Sequence, residues 1–147
     1  MQIEDSFIIK ASKQDVWQFI FDIPRMSKCI PGIEAVEIID AVTYRGKLVV
    51  KVGPIKSEFG GTVLLTEINA PDSIAGSVDG DDKSSASSVK AVFRGTLTSV
   101  EGGTQAAFSV NANLRGRLAQ FGGPIINATA RKLTAEFAKN MRAELEH

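Results

Sequence analysis

Few residues in this chain have the type and spacing needed for acid–base or covalent chemistry. The only histidine, His147, is the last residue, and Leu145-Glu146-His147 reads as a purification-tag remnant beyond a single domain over 1–144. Without it, serine–histidine and cysteine–histidine nucleophilic catalysis is closed, as are the commonest zinc sites. The single cysteine, Cys29, excludes an intrachain disulfide and fits a reducing cytoplasm. Only Lys28 and Arg25 lie nearby in sequence to activate it, so it reads as a structural thiol. Asp79, Asp81 and Asp82 crudely resemble a calcium loop but lack the glycine and glutamate that would complete one, so Asp79–Lys83 reads as a solvated hairpin. Glu58 and Glu67 are the carboxylates nearest the middle of a long strand. Alternation turns Glu67 inward and Glu58 outward, so no pair converges on one substrate. No catalytic residue, metal or cofactor is assigned.

Composition narrows the partners. At 147 residues the chain is one domain with room for a substantial core. Seventeen basic residues balance seventeen acidic ones, so no overall basic surplus points to nucleic acid. The start, Met1-Gln2-Ile3-Glu4-Asp5, is acidic and runs directly into a strand, unlike a signal peptide. No apolar run reaches the roughly 18 to 20 residues of a spanning helix. The expectation is a cytoplasmic protein.

The elements follow from periodicity. Ile3, Phe7 and Ile9 predict a first strand. Ser12 predicts an N-cap, and Val16, Trp17, Phe19 and Ile20 a short helix closed by Pro24. A further helical turn over Pro24–Lys28 precedes the Pro31-Gly32 turn. Strands follow over Val36–Val42 and Tyr44–Val52. In Ile55–Ile68, residues Ile55, Ser57, Phe59, Gly61, Val63 and Leu65 share one face. Ser73–Val78 is a short strand. Val89, Ala91, Phe93, Gly95 and Leu97 alternate next, then Ala106, Phe108, Val110, Ala112 and Leu114. The C-terminal run carries Ile125, Ile126, Thr129, Leu133, Phe137 and Met141 at helical spacing. The order predicts an α+β fold in which a long curved antiparallel sheet wraps one long terminal helix.

Many inward positions are small: Gly46, Gly61, Gly76, Ala91, Gly95, Ala106 and Ala112. Either the helix packs closely on them or they leave a cavity beneath it. Trp17 and Phe21 read as core at one end of the sheet. The segment Gly116-Arg117-Leu118-Ala119-Gln120-Phe121-Gly122-Gly123-Pro124 enters the helix, with Pro124 suited to its first turn. That segment reads as the gate of a cavity, with Arg115 and Arg117 at its rim. Phe59, Val63, Phe93, Phe108, Phe121, Ile125 and Thr129 are the candidate ligand contacts.

The first strand with Asp15-Val16-Trp17, then Asp22-Ile23-Pro24 and Cys29-Ile30-Pro31-Gly32, resembles the helix-grip superfamily of lipid-transfer (START) domains and polyketide cyclases. Within it, Cys29-Ile30-Pro31-Gly32, Val52-Gly53-Pro54 and Gly116–Gly122 resemble the CoxG family associated with carbon monoxide dehydrogenase, from about Met1 to Met141. The resemblance implies a seven-stranded antiparallel sheet gripping the C-terminal helix over an apolar cavity. It implies a non-enzymatic accessory protein holding a hydrophobic small molecule, a quinone or a lipid. It further implies a molybdenum hydroxylase complex as partner and peripheral contact at the inner face of the membrane. The alternative is a polyketide cyclase or aromatase-like enzyme on a hydrophobic substrate, for which Tyr44 or Arg117 is the best polar anchor.

Overall fold

Long runs of alternating residues become long strands. The computed structural model describes residues 1–146, in the order β1 (Gln2–Ile9), α1 (Lys13–Phe21), α2 (Ile23–Ser27), β2 (Ile33–Ile38), β3 (Thr43–Val52), β4 (Ile55–Asn69), β5 (Ser73–Asp82), β6 (Ser87–Val100), β7 (Gly103–Arg115), a 3-10 turn (Arg117–Phe121) and α3 (Gly123–Leu145). The strands form one seven-stranded antiparallel sheet ordered β1-β7-β6-β5-β4-β3-β2. Strands β2 to β7 are a meander, each pairing with the next. Helices α1 and α2 carry the chain from one sheet edge, β1, to the other, β2. The α+β helix-grip architecture expected from the sequence is therefore the observed one.

Local chemistry accounts for the element ends. The Ser12 side chain accepts a hydrogen bond from the Asp15 amide at 3.1 Å, capping α1. Pro24 and Pro124 each occupy the first turn of a helix, where a missing N–H costs nothing. Gly116 and Gly122 bracket the 3-10 turn with φ of 89° and 80°, so Arg117–Phe121 is an element apart from α3. A side chain at Gly116 is excluded twice over: its Cβ would stand 1.8 Å from the Ala86 carbonyl oxygen.

Two boundaries differ from expectation. Strand β5 continues through Asp82, and β2 spans Ile33–Ile38 instead of starting at Val36. The reason at β5 is register: Asp79 to Asp82 pair with Lys90 to Ser87 of β6, so the expected solvated loop is strand, and the turn starts at Lys83.

Helix α3 is fastened at its ends. Its C-terminal half joins a core of Ile9, Val16, Trp17, Phe19, Cys29, Leu97 and Met141. There Phe137 meets Phe7 edge-on at 6.3 Å, and Arg142 donates to the Ile8 carbonyl at 3.0 Å. Asn140 donates to the Cys29 carbonyl at 3.0 Å, tying α3 to the α1–α2 segment. At the other end the preceding turn buries Leu118, 1% exposed, and its amide donates to the Ser87 hydroxyl at 3.1 Å. Truncating so enclosed a leucine leaves a cavity: Leu118→Ala is expected to lower stability by about 2–5 kcal/mol. Leu64→Ala, on the exposed outer face of β4, should cost within about 0.5 kcal/mol. Urea unfolding of the two variants checks the contrast.

Candidate functional site

Strand alternation decides which residues face α3, and the sheet's curvature decides how far they stand from it. Gly46 of β3 pairs with Gly61 of β4, which pairs with Gly80 of β5. Three adjacent strands thus lack side chains in one row, and the sheet can bend there without crowding. A Cβ at Gly61 would lie 2.7 Å from the Asp79 carbonyl oxygen, and one at Gly46 2.9 Å from that of Ala35. At Gly76, in contrast, the missing side chain makes room for the Phe93 ring. Small inward residues therefore do both things the sequence left open: some admit close packing, others accompany a hollow.

The hollow is an interior cavity of about 470 Å³ between the sheet, α1–α2 and the C-terminal half of α3. Val63, Val78, Phe93 and Phe108 line it from the sheet, Phe137 and Met141 from α3, and Trp17, Phe21, Met26 and Ile30 from the α1–α2 side. Its size lies within the usual range for small-molecule pockets, roughly 300–1,000 Å³. Trp17 and Phe21, expected as core, belong to the core and wall the cavity as well; their rings lie 5.0 Å apart.

Polar groups at this wall are already engaged. The Tyr44 hydroxyl donates to the Ala41 carbonyl at 2.9 Å. Burial, and then the nearby Asp40 carboxylate, push its pKa up, so it stays protonated. Asp72, at the β4–β5 turn, pairs with Lys13 at 2.6 Å. A broader depression of about 720 Å³ crosses β2 to β6 at the glycine row. It is bordered by charged side chains of both signs, including Glu37, Arg45, Lys47, Asp79 and Lys90. An apolar molecule is better matched by the interior cavity.

The structure divides the residues singled out from sequence. Val63, Phe93 and Phe108 line the cavity together; Phe59, Phe121, Ile125 and Thr129 are not among its lining residues. Phe59 pairs with Leu48 on the far side of the glycine row. The Phe121 ring rests on Gly53. Ile125 is 41% exposed, and the Thr129 hydroxyl donates to the Ile125 carbonyl of its own helix at 3.0 Å. Arg115 and Arg117 sit at the sheet end opposite α1 and α2, so they do not rim this cavity. The gate reading of Gly116–Pro124 fails for the same reason: Leu118 plugs that end. Alternation identifies an inward face but not the depth along the strand, so it does not mark Trp17, Phe21 and Met26 as ligand contacts. The signal available for them is the aromatic and thioether content of the α1–α2 segment.

The carboxylates also settle. A β-bulge between Leu65 and Glu67 reverses the alternation, so Glu67 lies on the outer face in register with Ala75 and Arg94. It accepts from Arg94 at 2.6 Å, and that bond chiefly holds its pKa low. Burial raises the pKa of the Cys29 thiol, with Glu144 adding to the rise and Arg25 opposing it, which leaves the thiol protonated and unreactive. No cluster of three metal-ligating side chains occurs among the described residues.

A seven-stranded sheet curled around a terminal helix, with an apolar interior cavity and its polar groups tied to one another, defines a START-like helix-grip protein. Solved structures agree: a conserved protein from Geobacillus kaustophilus superposes with a TM-score of 0.90 at 24% identity, over 98% of this chain and 94% of the other. A START superfamily protein from Mycobacterium smegmatis gives 0.75 at 13%, over 99% and 97%. No curated protein matches. The family model for the carbon monoxide dehydrogenase protein CoxG matches residues 6–146, and the chain belongs to that family.

Asp82 gives a test of how the plugged end is held. It is 5% exposed and accepts from the Ser84 hydroxyl at 2.7 Å, the Ser85 hydroxyl at 3.0 Å and the Glu58 amide at 3.1 Å. Led by the Ser84 bond, these lower its pKa from 3.8 to about 2. Because the folded value is the lower one, the stabilisation is complete above the unfolded value and is lost as pH falls from about 4 to about 2. Asp82→Asn should lower the melting temperature at pH 7 and flatten its fall across that window, as measured by thermal melts against pH.

Proposed function

We propose that this protein is a non-enzymatic carrier that holds one apolar molecule, a quinone or a lipid chain, in the α1–α2 half of its interior. In that role it serves a molybdenum-containing carbon monoxide dehydrogenase or related hydroxylase. The cavity wall carries the reading: aliphatic, aromatic and thioether groups around about 470 Å³, with the Tyr44 hydroxyl bonded away to Ala41. Burying an apolar ligand there releases water from apolar surface at no cost in unpaired polar groups. CoxG membership supports the dehydrogenase as the system served. A cyclase-like enzyme would need a polar anchor at its substrate; Tyr44 is engaged, and Arg117 lies at the other end of the sheet.

Trp17 reports on the site, because it is the only tryptophan and it faces the cavity. Titration with a short-chain ubiquinone analogue, or displacement of a fluorescent fatty acid, should give saturable quenching or release at one site per chain. Val63→Phe and Ala106→Phe, which fill the cavity from the sheet, should weaken binding more than about tenfold. The absence of saturable binding of either class to the folded wild-type protein would reject the carrier reading.

A further inference from the structure

The equal totals of acidic and basic residues conceal a one-sided distribution. No acidic residue occurs between Asp40 and Glu58, or between Glu101 and Glu136, while those stretches carry Lys51, Lys56, Arg115 and Arg117. The fold brings them to one end. Lys51 and Lys56 stand directly opposite each other across the β3–β4 hairpin. Such a like-charge pair is unfavourable in a sheet, so folding alone does not account for it. Arg115 ends β7 in register with Ser88 of β6, Arg117 begins the 3-10 turn, and Lys83 opens the β5–β6 turn between them. Contacts lock these pieces together: Phe121 on Gly53, Ser57 to Ser85 at 3.4 Å, and the Leu118 amide on Ser87.

None of these five cations joins an ion pair among the described residues, whereas Lys13, Arg25, Lys47, Lys90 and Arg94 each do. The acids nearby offer little neutralisation. Asp82 is enclosed by hydroxyls and amides, Glu58 pairs with Lys47, and Asp81 is the one exposed carboxylate on this edge. Apolar groups project beside the cations: Ile125 is 41% exposed, and Pro54 and Pro124 are exposed on either side of Phe121.

From this geometry we infer that the end formed by the β3–β4 hairpin, the β5–β6 turn and the 3-10 turn docks on an anionic lipid bilayer. Lysine and arginine side chains ringing an exposed aliphatic residue match an interface that is anionic at its surface and apolar just beneath. The row runs across strands β3 to β7, roughly 15–20 Å at the usual strand spacing, and sits on turn tips instead of in a groove, as contact with a flat surface requires. It lies opposite the α1–α2 end that holds the cavity, so docking leaves the cavity's walls uncovered.

Vesicle co-sedimentation tests this with the intact protein. Binding is expected to vesicles of phosphatidylcholine mixed with phosphatidylglycerol in equal parts, not to phosphatidylcholine alone, and to fall as salt rises from about 0.05 M to about 0.5 M. Lys56→Glu/Arg115→Glu should weaken it more than about tenfold. Lys10→Glu/Lys28→Glu, an equal charge change remote from this end, should leave it within about twofold. Thermal melts and Trp17 quenching by the ubiquinone analogue should be unchanged in both, which separates docking from folding and from the carrier reading. Failure to bind phosphatidylglycerol vesicles, equal loss in the two double variants, or binding to polyglutamate beads but not to vesicles would overturn the inference, the last in favour of an acidic protein partner.

Discussion

Everything in this molecule depends on a helix held at its two ends across a sheet that bends away from it. At one end Phe137, Met141 and Asn140 join α3 to β1 and to the α1–α2 segment. At the other, Leu118 and Phe121 seat the preceding turn on the β5–β6 and β3–β4 hairpins. Between these anchors the glycine row of Gly46, Gly61 and Gly80 permits curvature and supplies no side chain to fill the gap. An interior left partly empty costs stability, since lining atoms lose contacts on one side. The fold meets that cost with two dense anchor regions, and the cavity lies in the span next to one of them.

The two ends differ in chemistry as well as packing. The α1–α2 end is aromatic and aliphatic and surrounds the cavity. The other end is closed by a hydroxyl and carboxylate cluster around Asp82, with a cationic rim outside it. That cluster has no buried side-chain polar atom without a partner among the described residues, as expected where several polar groups leave water together. Division of labour follows: one end is built to enclose an apolar molecule, the other to stay shut and present charge.

Much of this was legible from residue spacing. Alternation in β4, β6 and β7, the Ser12 cap and the 3.6-residue period of α3 each lead to the observed element, because each is a local preference that tertiary packing reinforces. Glu67 was misplaced because one extra residue in a bulge reverses every later facing, and Leu65-Thr66-Glu67 carries no glycine or proline to announce it. Asp82 looked solvated because Asp-Gly-Asp-Asp is turn-rich; only the register with β6 and the serines after it make it buried and bonded. For the cavity, the inward face was readable but the position along it was not. Val63, Phe93 and Phe108 lie on the α1–α2 side of the glycine row, whereas Phe59, with the same facing, lies beyond it. That distinction depends on where the helix touches down, a long-range property.

The central claim is that the α1–α2 half of the interior, and not the Leu118 end, receives an apolar ligand. Methyl-resolved NMR on protein labelled at isoleucine, leucine, valine and methionine tests it directly during addition of the ubiquinone analogue. The account predicts saturable shifts at Met26, Ile30, Val63, Val78, Leu97 and Met141, with Leu118 and Ile125 unmoved. Shifts centred on Leu118 and Ile125, or none in the cavity methyls at saturating ligand, would contradict it.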